Sequence, residues 1–249
     1  MIAALLLLAA QAAGTYYQQG VDLYQKGRAD EARVHLKRAV EQEPSARHWK
    51  ALGVLEASVR QYAEAEPALR EACRLDPKEQ DACYYWGRAL YALDRFQASL
   101  AALEQALAID RQPGRAHLGM AQALEALGRA AEAERQFRRA VELGAGASAD
   151  LDPRLHFGIF LYRQGRTEEA IGRLRSARPS ARTHYNLGRA LFQQGRLDEA
   201  ERQLRDAIRL DPAYAEAHLQ LAGLYRRLGR VEDAERHAKQ ADQGSRSSR

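Results

Sequence analysis

Chemistry in this chain would have to come from a small set of residue types, so their spacing is read first. Seven histidines occur, His35, His48, His117, His156, His184, His218 and His237, and no two stand four apart. A helical metal site needs that spacing to bring two imidazoles onto one face. Cys73 and Cys83 form a single C-x9-C spacing, which matches no zinc pattern. In an oxidising compartment the two can pair if their Cα atoms come within about 7 Å. The alternative is two small buried residues on neighbouring helices, and the pattern favours it. The glycine-rich stretch "GAGASAD" at 144–150 follows no strand signal, so it lacks the context of a phosphate-binding loop and reads as a linker. There is no Ser/His/Asp signature. These residues predict no catalytic group, no cofactor site and no metal site, and hence a protein that is not an enzyme.

Composition narrows the class further. The 249 residues are 46% hydrophobic and 29% charged, with a net charge of +5. Seven prolines and long Ala/Leu/Glu/Arg/Gln stretches predict an all-α protein. Acids alternate with bases, as in "DEAERQLRDAIRLDP", which is the pattern of a salt-bridged, solvated helix face. A nucleic-acid footprint needs one-signed clustering, so no nucleic-acid partner is expected. The apolar start "MIAALLLLAAQAAG" carries no charged side chain and is too short to span a bilayer, which takes about 20 residues. Residues 1–12 read as a signal peptide, with Ala10-Gln11-Ala12 as the small-x-small cleavage site, although no base precedes the run. That reading makes the protein exported and periplasmic. The alternative is an apolar capping helix on a cytoplasmic protein.

Three series of small residues run through the chain in one register. The first is Gly20, Gly53, Gly87, Ala121, Gly158, Gly188 and Ala222, with steps of 33, 34, 34, 37, 30 and 34. The second (Ala32, Ala65, Ser99, Ala133, Ala170, Ala200, Ala234) and the third (Ala39, Ala72, Ala106, Ala140, Ala177, Ala207, Ala241) have identical steps. Each unit reads as two amphipathic helices that meet where side chains are small. A turn lies between them, with glycine at Gly27, Gly128, Gly165, Gly195 and Gly229, the residue suited to left-handed helix ends. Acids such as Asp30-Glu31 and Asp198-Glu199 open the second helix and complement its positive end. Pro44, Pro77 and Pro212 close units. One helix pair cannot bury its apolar face alone, so the units must stack into a solenoid.

"THYNLGRALFQQGRLDEAERQLRDAIRLDP" at 183–212 and "WKALG" at 49–53 resemble the tetratricopeptide repeat family. The resemblance implies a right-handed α-α superhelix of stacked antiparallel helix pairs. Seven repeats are expected: 13–145 holding four, an irregular linker at 146–153, and 154–241 holding three, followed by a disordered basic tail at 242–249. Repeat four runs three residues long and repeat five three short, closing early at Pro179, so the second helix of repeat five should be shortened. Ser99 stands where alanine is usual. His117, His184 and His218 share the slot of Trp49 and read as packing residues.

In this family the first helix of each repeat lines the concave face, and the resemblance therefore implies which residues meet a partner. They include Tyr17, Tyr24, Lys50, Tyr84, Arg88, Tyr91, Tyr162, Arg163, Tyr185, Arg189, Phe192 and Arg226, with Arg47, Arg115, Arg182 and Arg227 also in register. Tyrosine and arginine are the residues of interface hot spots. The expected function is a scaffold that binds a protein or peptide partner, of acidic character, in this groove. The alternative is a periplasmic accessory module for envelope or polysaccharide assembly that acts through its convex face or ends. Lys50 is followed at one turn by Val54, and the chain's one asparagine is Asn186, so the family's carboxylate clamp for chaperone tails is not reproduced. The stretch "CYYWGRALY" at 83–91 divides by helical spacing: Cys83, Trp86, Gly87 and Leu90 face the partner helix, and Tyr84, Arg88 and Tyr91 form the groove stripe, with Tyr85 between.

Overall fold

The computed structural model describes residues 2–78, 81–108, 113–144 and 148–247. Residues 146–147 of the expected linker, residues 248–249 of the tail and Met1 lie outside the described residues. The described chain is all-α. It divides into two compact units, Met1–Gln136 and Phe137–Arg249. Unit 1 holds α1 (Ile2–Gln25), α2 (Ala29–Gln42), α3 (Ala46–Ser58), α4 (Tyr62–Leu75), α5 (Ala82–Ala92), α6 (Phe96–Leu107), α7 (Pro113–Ala126) and the start of α8 (Ala130–Leu143). Unit 2 holds the rest of α8, then α9 (Pro153–Arg163), α10 (Thr167–Ser176), α11 (Ala181–Gln193), α12 (Leu197–Leu210), α13 (Ala215–Arg227) and α14 (Val231–Ser247). Odd and even helices are the first and second members of seven pairs.

The small residue of each first helix is what lets the pair close. A Cβ added at Gly53 would lie 2.5 Å from Leu69 Cγ, and one at Gly188 would lie 2.7 Å from Leu204 Cγ. The same glycine-to-leucine contact, sixteen residues on, recurs at Gly20–Leu36, Gly87–Leu103 and Gly158–Leu174. Forcing extra carbon into such a contact costs roughly 1–3 kcal/mol. Leu36, Leu69 and Leu103 are buried in unit 1, and Leu174 and Leu204 in unit 2. Burial of each leucine contributes about 1.5–3 kcal/mol. Phe137, Phe157 and Phe160 add an aromatic cluster in unit 2, with centroids 5.1–6.3 Å apart. Ser99 keeps the small slot of repeat three because its hydroxyl donates to the Gly87 carbonyl at 2.7 Å.

The glycines between helices take positive φ, from Gly27 at 75° to Gly229 at 72°. Repeats two and three depart from that rule, with Arg60 (φ 62°) and Asp94 (φ 57°) in the same left-handed conformation. The α10 helix has 10 residues against 14 in α12. The early end of repeat five is tied to its start by Asp152, a buried carboxylate that accepts from the backbone N–H of Arg154 and, at 2.7 Å, of Arg178. Cys73 and Cys83 are a disulfide rather than two separate buried thiols, with Cα atoms 4.9 Å apart. The sequence reading preferred the unpaired state because two small slots explain both positions. The packing of α5 against α4 brings those slots within bonding reach. The α1 helix runs unbroken through residues 2–12, and no helix among the described residues is long and apolar enough to cross a membrane. The α14 helix continues to Ser247, into the segment expected to be disordered. Gly244 is buried there, where a Cβ would meet the Ala213 carbonyl at 2.5 Å.

Candidate functional site

Within unit 1, α1 touches α3, α3 touches α5 and α5 touches α7; within unit 2, α11 touches both α9 and α13. Among the described residues, no two second helices of a unit come together to the same extent. The first helices therefore crowd along one side, which is the inner face of each unit. Tyrosine and arginine of adjacent first helices meet on it.

In unit 1 the Arg47 guanidinium lies over the Tyr17 ring at 4.3 Å, and Arg115 lies over Tyr84 at 4.4 Å. Both pairs use one register: the aromatic stands three residues before the small residue of its helix, the arginine six before that of the next. That recurrence, two repeat lengths apart, is the sequence signal for these contacts. Arg115 also closes an ion pair with Asp81. Arg88 donates to the Tyr84 hydroxyl at 3.2 Å, and Tyr85 meets Tyr84 edge-on at 5.4 Å. Tyr84 is only 6% exposed. A place on the open groove, which the helical stripe implied, is thus filled by its own neighbours. Tyr85 is half-buried, and burial first, then the Asp81 carboxylate, push its phenol above the ordinary value. Tyr91 is half-buried against Phe96 at 5.4 Å, Lys50 is half-buried, and Tyr24 is exposed.

In unit 2 the Arg189 guanidinium is shared by two rings, Tyr162 at 5.0 Å and Tyr185 at 5.4 Å. Arg227 lies over Phe192 at 5.5 Å. Tyr185 in turn contacts Tyr214 at 5.1 Å. Burial, aided by Glu216, pushes the Tyr214 phenol up to about 12. Burial also raises Tyr185, and Arg189 offsets part of that rise. Arg163 and Arg226 are exposed. The twelve expected site residues divide evenly between the units, six in each.

Three of the histidines, His117, His184 and His218, sit between the helices of their own repeat. His117 Nδ1 is 2.6 Å from Gln136 Oε1, and His184 Nδ1 is 2.8 Å from Gln203 Oε1. His218 Nδ1 faces His237 Nδ1 at 2.9 Å. Each partner lies nineteen residues on, so these are packing contacts in a repeated slot. No group of three or more metal-ligating side chains gathers among the described residues.

Residues 17–79, 157–201 and 185–248 match one tetratricopeptide repeat profile, and residues 90–150 match a second. The chain belongs to the tetratricopeptide repeat family. A TPR repeat-containing thioredoxin, TTL4, of Arabidopsis thaliana is 36% identical over 86 residues, which is 32% of this chain and 12% of that protein. Among solved structures, Pseudomonas aeruginosa pilF is similar with a TM-score of 0.67 and 21% identity, over 86% of this chain and 99% of that one. A tetratricopeptide repeat protein from Parabacteroides merdae has a TM-score of 0.72 and 16% identity, over 94% of this chain and 93% of that one. At such identities the likeness to the two structures is one of fold. Tetratricopeptide repeats are protein-interaction scaffolds, and this solenoid is of that kind.

Proposed function

We propose that this tetratricopeptide repeat protein is a non-enzymatic scaffold that holds a peptide segment of a protein partner, acidic in character, on its inner face. The carrying observation is the row of aromatic and guanidinium groups on adjacent first helices, because such groups give broad contact area with a polar handle. YrrB, a TPR protein described as having an unusual peptide-binding site, is 24% identical with a TM-score of 0.50 over 73% of this chain, and shares the fold. Site-specific photo-cross-linking tests the reading. Benzoylphenylalanine in place of Tyr24 or Phe192 on the inner face should cross-link the partner, whereas replacement of the exposed Lys37 or Arg202 on second helices should not. Cross-links confined to the second helices would instead favour an accessory module that works through its outer face.

We also propose that the protein is exported to an oxidising compartment. The Cys73–Cys83 disulfide supports this, since such bonds persist outside the reducing cytosol. Alkylation of the native protein in cell fractions, with and without prior reduction, tests it: thiols that label without a reductant would rule out the oxidised state.

A further inference from the structure

Most arginines outside the inner face of unit 2 pair with carboxylates; among the described residues, Arg202 is exposed without such a partner and Arg173 lies over the Phe157 ring. Arg166 pairs with Glu169, Arg175 and Arg196 with Glu199, Arg205 with Glu201, Arg209 with Asp206, and Arg230 with Asp233. Among the described residues, Arg189, Arg226 and Arg227 on the inner face have no carboxylate partner. Arg189 and Arg227 are spread over aromatic rings, and the exposed Arg226 side chain makes no ion pair or ring contact among the described residues. Stacking leaves the edge of a guanidinium, with its forked donors, available for a bidentate carboxylate. Beside them Leu219 is 56% exposed, because it occupies the inner-face slot of the last repeat in the unit. Leu219 stands seven residues before Arg226, two helical turns away on the same side of α13.

We infer that the inner face of unit 2, built on Arg189, Arg226, Arg227 and Leu219, docks a peptide segment in which carboxylate side chains alternate with apolar ones. This rests on the inner-face reading above and adds the ligand chemistry and its location. Charge complementarity selects the carboxylates, and the exposed leucine selects an apolar side chain that a bare polyanion lacks.

The test is fluorescence anisotropy of the full chain with a labelled peptide of alternating Glu and Leu. Controls are the same peptide with Gln for Glu, polyglutamate, and a single-stranded oligonucleotide of equal charge. Arg189→Gln/Arg226→Gln/Arg227→Gln should weaken the Glu/Leu peptide by about tenfold or more, and Leu219→Ser should weaken it by a few-fold. Arg202→Gln on α12, exposed and unpaired like Arg226, should change it by less than about twofold. Circular dichroism of each variant confirms the fold. No measurable binding of the Glu/Leu peptide, equal binding of its Gln form, or equal loss with Arg202→Gln overturns the inference. Tighter binding of the oligonucleotide or polyglutamate overturns it too. If inner-face cross-linking of the partner persists while the triple variant has no effect, the acidic class falls and the groove reading stands. If cross-links come only from second helices, both fall.

Discussion

The inner faces of the two units set arginine over an aromatic ring on adjacent first helices, and the sites at Tyr84 and Tyr162 complete the contact differently. In unit 1 Arg115 covers Tyr84 and then meets Asp81, so ring, cation and carboxylate satisfy one another in a half-closed site. In unit 2 Arg189 lies against Tyr162 and Tyr185 and meets no carboxylate. The tyrosine three residues before the small residue thus meets an arginine of the next repeat in unit 1, Arg115 over Tyr84, and one of its own helix in unit 2, Arg189 over Tyr185. Aromatic and arginine content alone does not identify a binding face; what neutralises the charge does.

The largest expected effect separates the two rings. Tyr84→Ala should destabilise unit 1 by about 3–4 kcal/mol, the cost of removing a buried aromatic. Tyr162→Ala, half-buried under a cation, should cost roughly 1 kcal/mol. Urea unfolding followed by circular dichroism measures both, and equal losses would erase the distinction. Asp81→Asn comes next. It removes the carboxylate from a pair whose side chains are 21% and 14% exposed, for about 1–2 kcal/mol. Asparagine tolerates the positive φ of 73° at that position, so the backbone stays in place. The un-neutralised Arg115 should then raise the affinity of unit 1 for the Glu/Leu peptide. Anisotropy with unit 2 silenced by its triple arginine variant reads this directly.

The turns differ between the units as well. All three in unit 2 use glycine, whereas repeats two and three of unit 1 hold Arg60 and Asp94 at φ of 62° and 57°. A side chain in that region costs about 1–2 kcal/mol, part of which glycine gives back through the flexibility of the unfolded chain. Arg60→Gly and Asp94→Gly should each stabilise by about 0.5–1 kcal/mol. Gly195→Asp in unit 2 should do the reverse. Thermal melts that leave all three unchanged would mean the turn conformation carries no strain.

Most of the fold was legible because a solenoid repeats its constraints. Small residues at Gly53, Ala65 and Ala72 return in every repeat, and the closing of five helix pairs on a leucine sixteen residues later follows from them. The second helix of repeat five could be shortened on paper because Pro179 comes early. What could not be read was set by contacts between repeats. The helical stripe put Tyr84 on the groove, but its burial depends on Arg115 in the next repeat and on Asp81 beneath it. The disulfide depends on where the packing of α5 against α4 brings two buried slots. Arg60 and Asp94 hid two turns because the sequence signal for a left-handed residue is glycine.

The smallest predicted effect lies in the last repeat, where a histidine replaces the glutamine of equivalent pairs. Repeats four and six set His117 against Gln136 and His184 against Gln203, while repeat seven sets His218 against His237. His218 Nε2 lies 3.1 Å from the Pro212 carbonyl, which only accepts, so that nitrogen carries the hydrogen. His218 Nδ1 then accepts from His237. A proton on both rings would put two N–H groups face to face. Burial, then the neighbouring His218, hold His237 below its ordinary value; Arg236 and Arg205 act in the same direction, and Asp233 against it. A depressed histidine binds its proton more readily when unfolded, so its stability contribution is present above a pH of about 6.5 and is lost as the pH falls below that. Hydrogen exchange of residues 215–247 should therefore quicken between pH 7.5 and 5.5. His237→Gln, which restores the pairing of repeats four and six, should flatten that dependence and leave exchange at pH 7.5 within about twofold. An acid response that survives the substitution would move its origin away from the histidine pair.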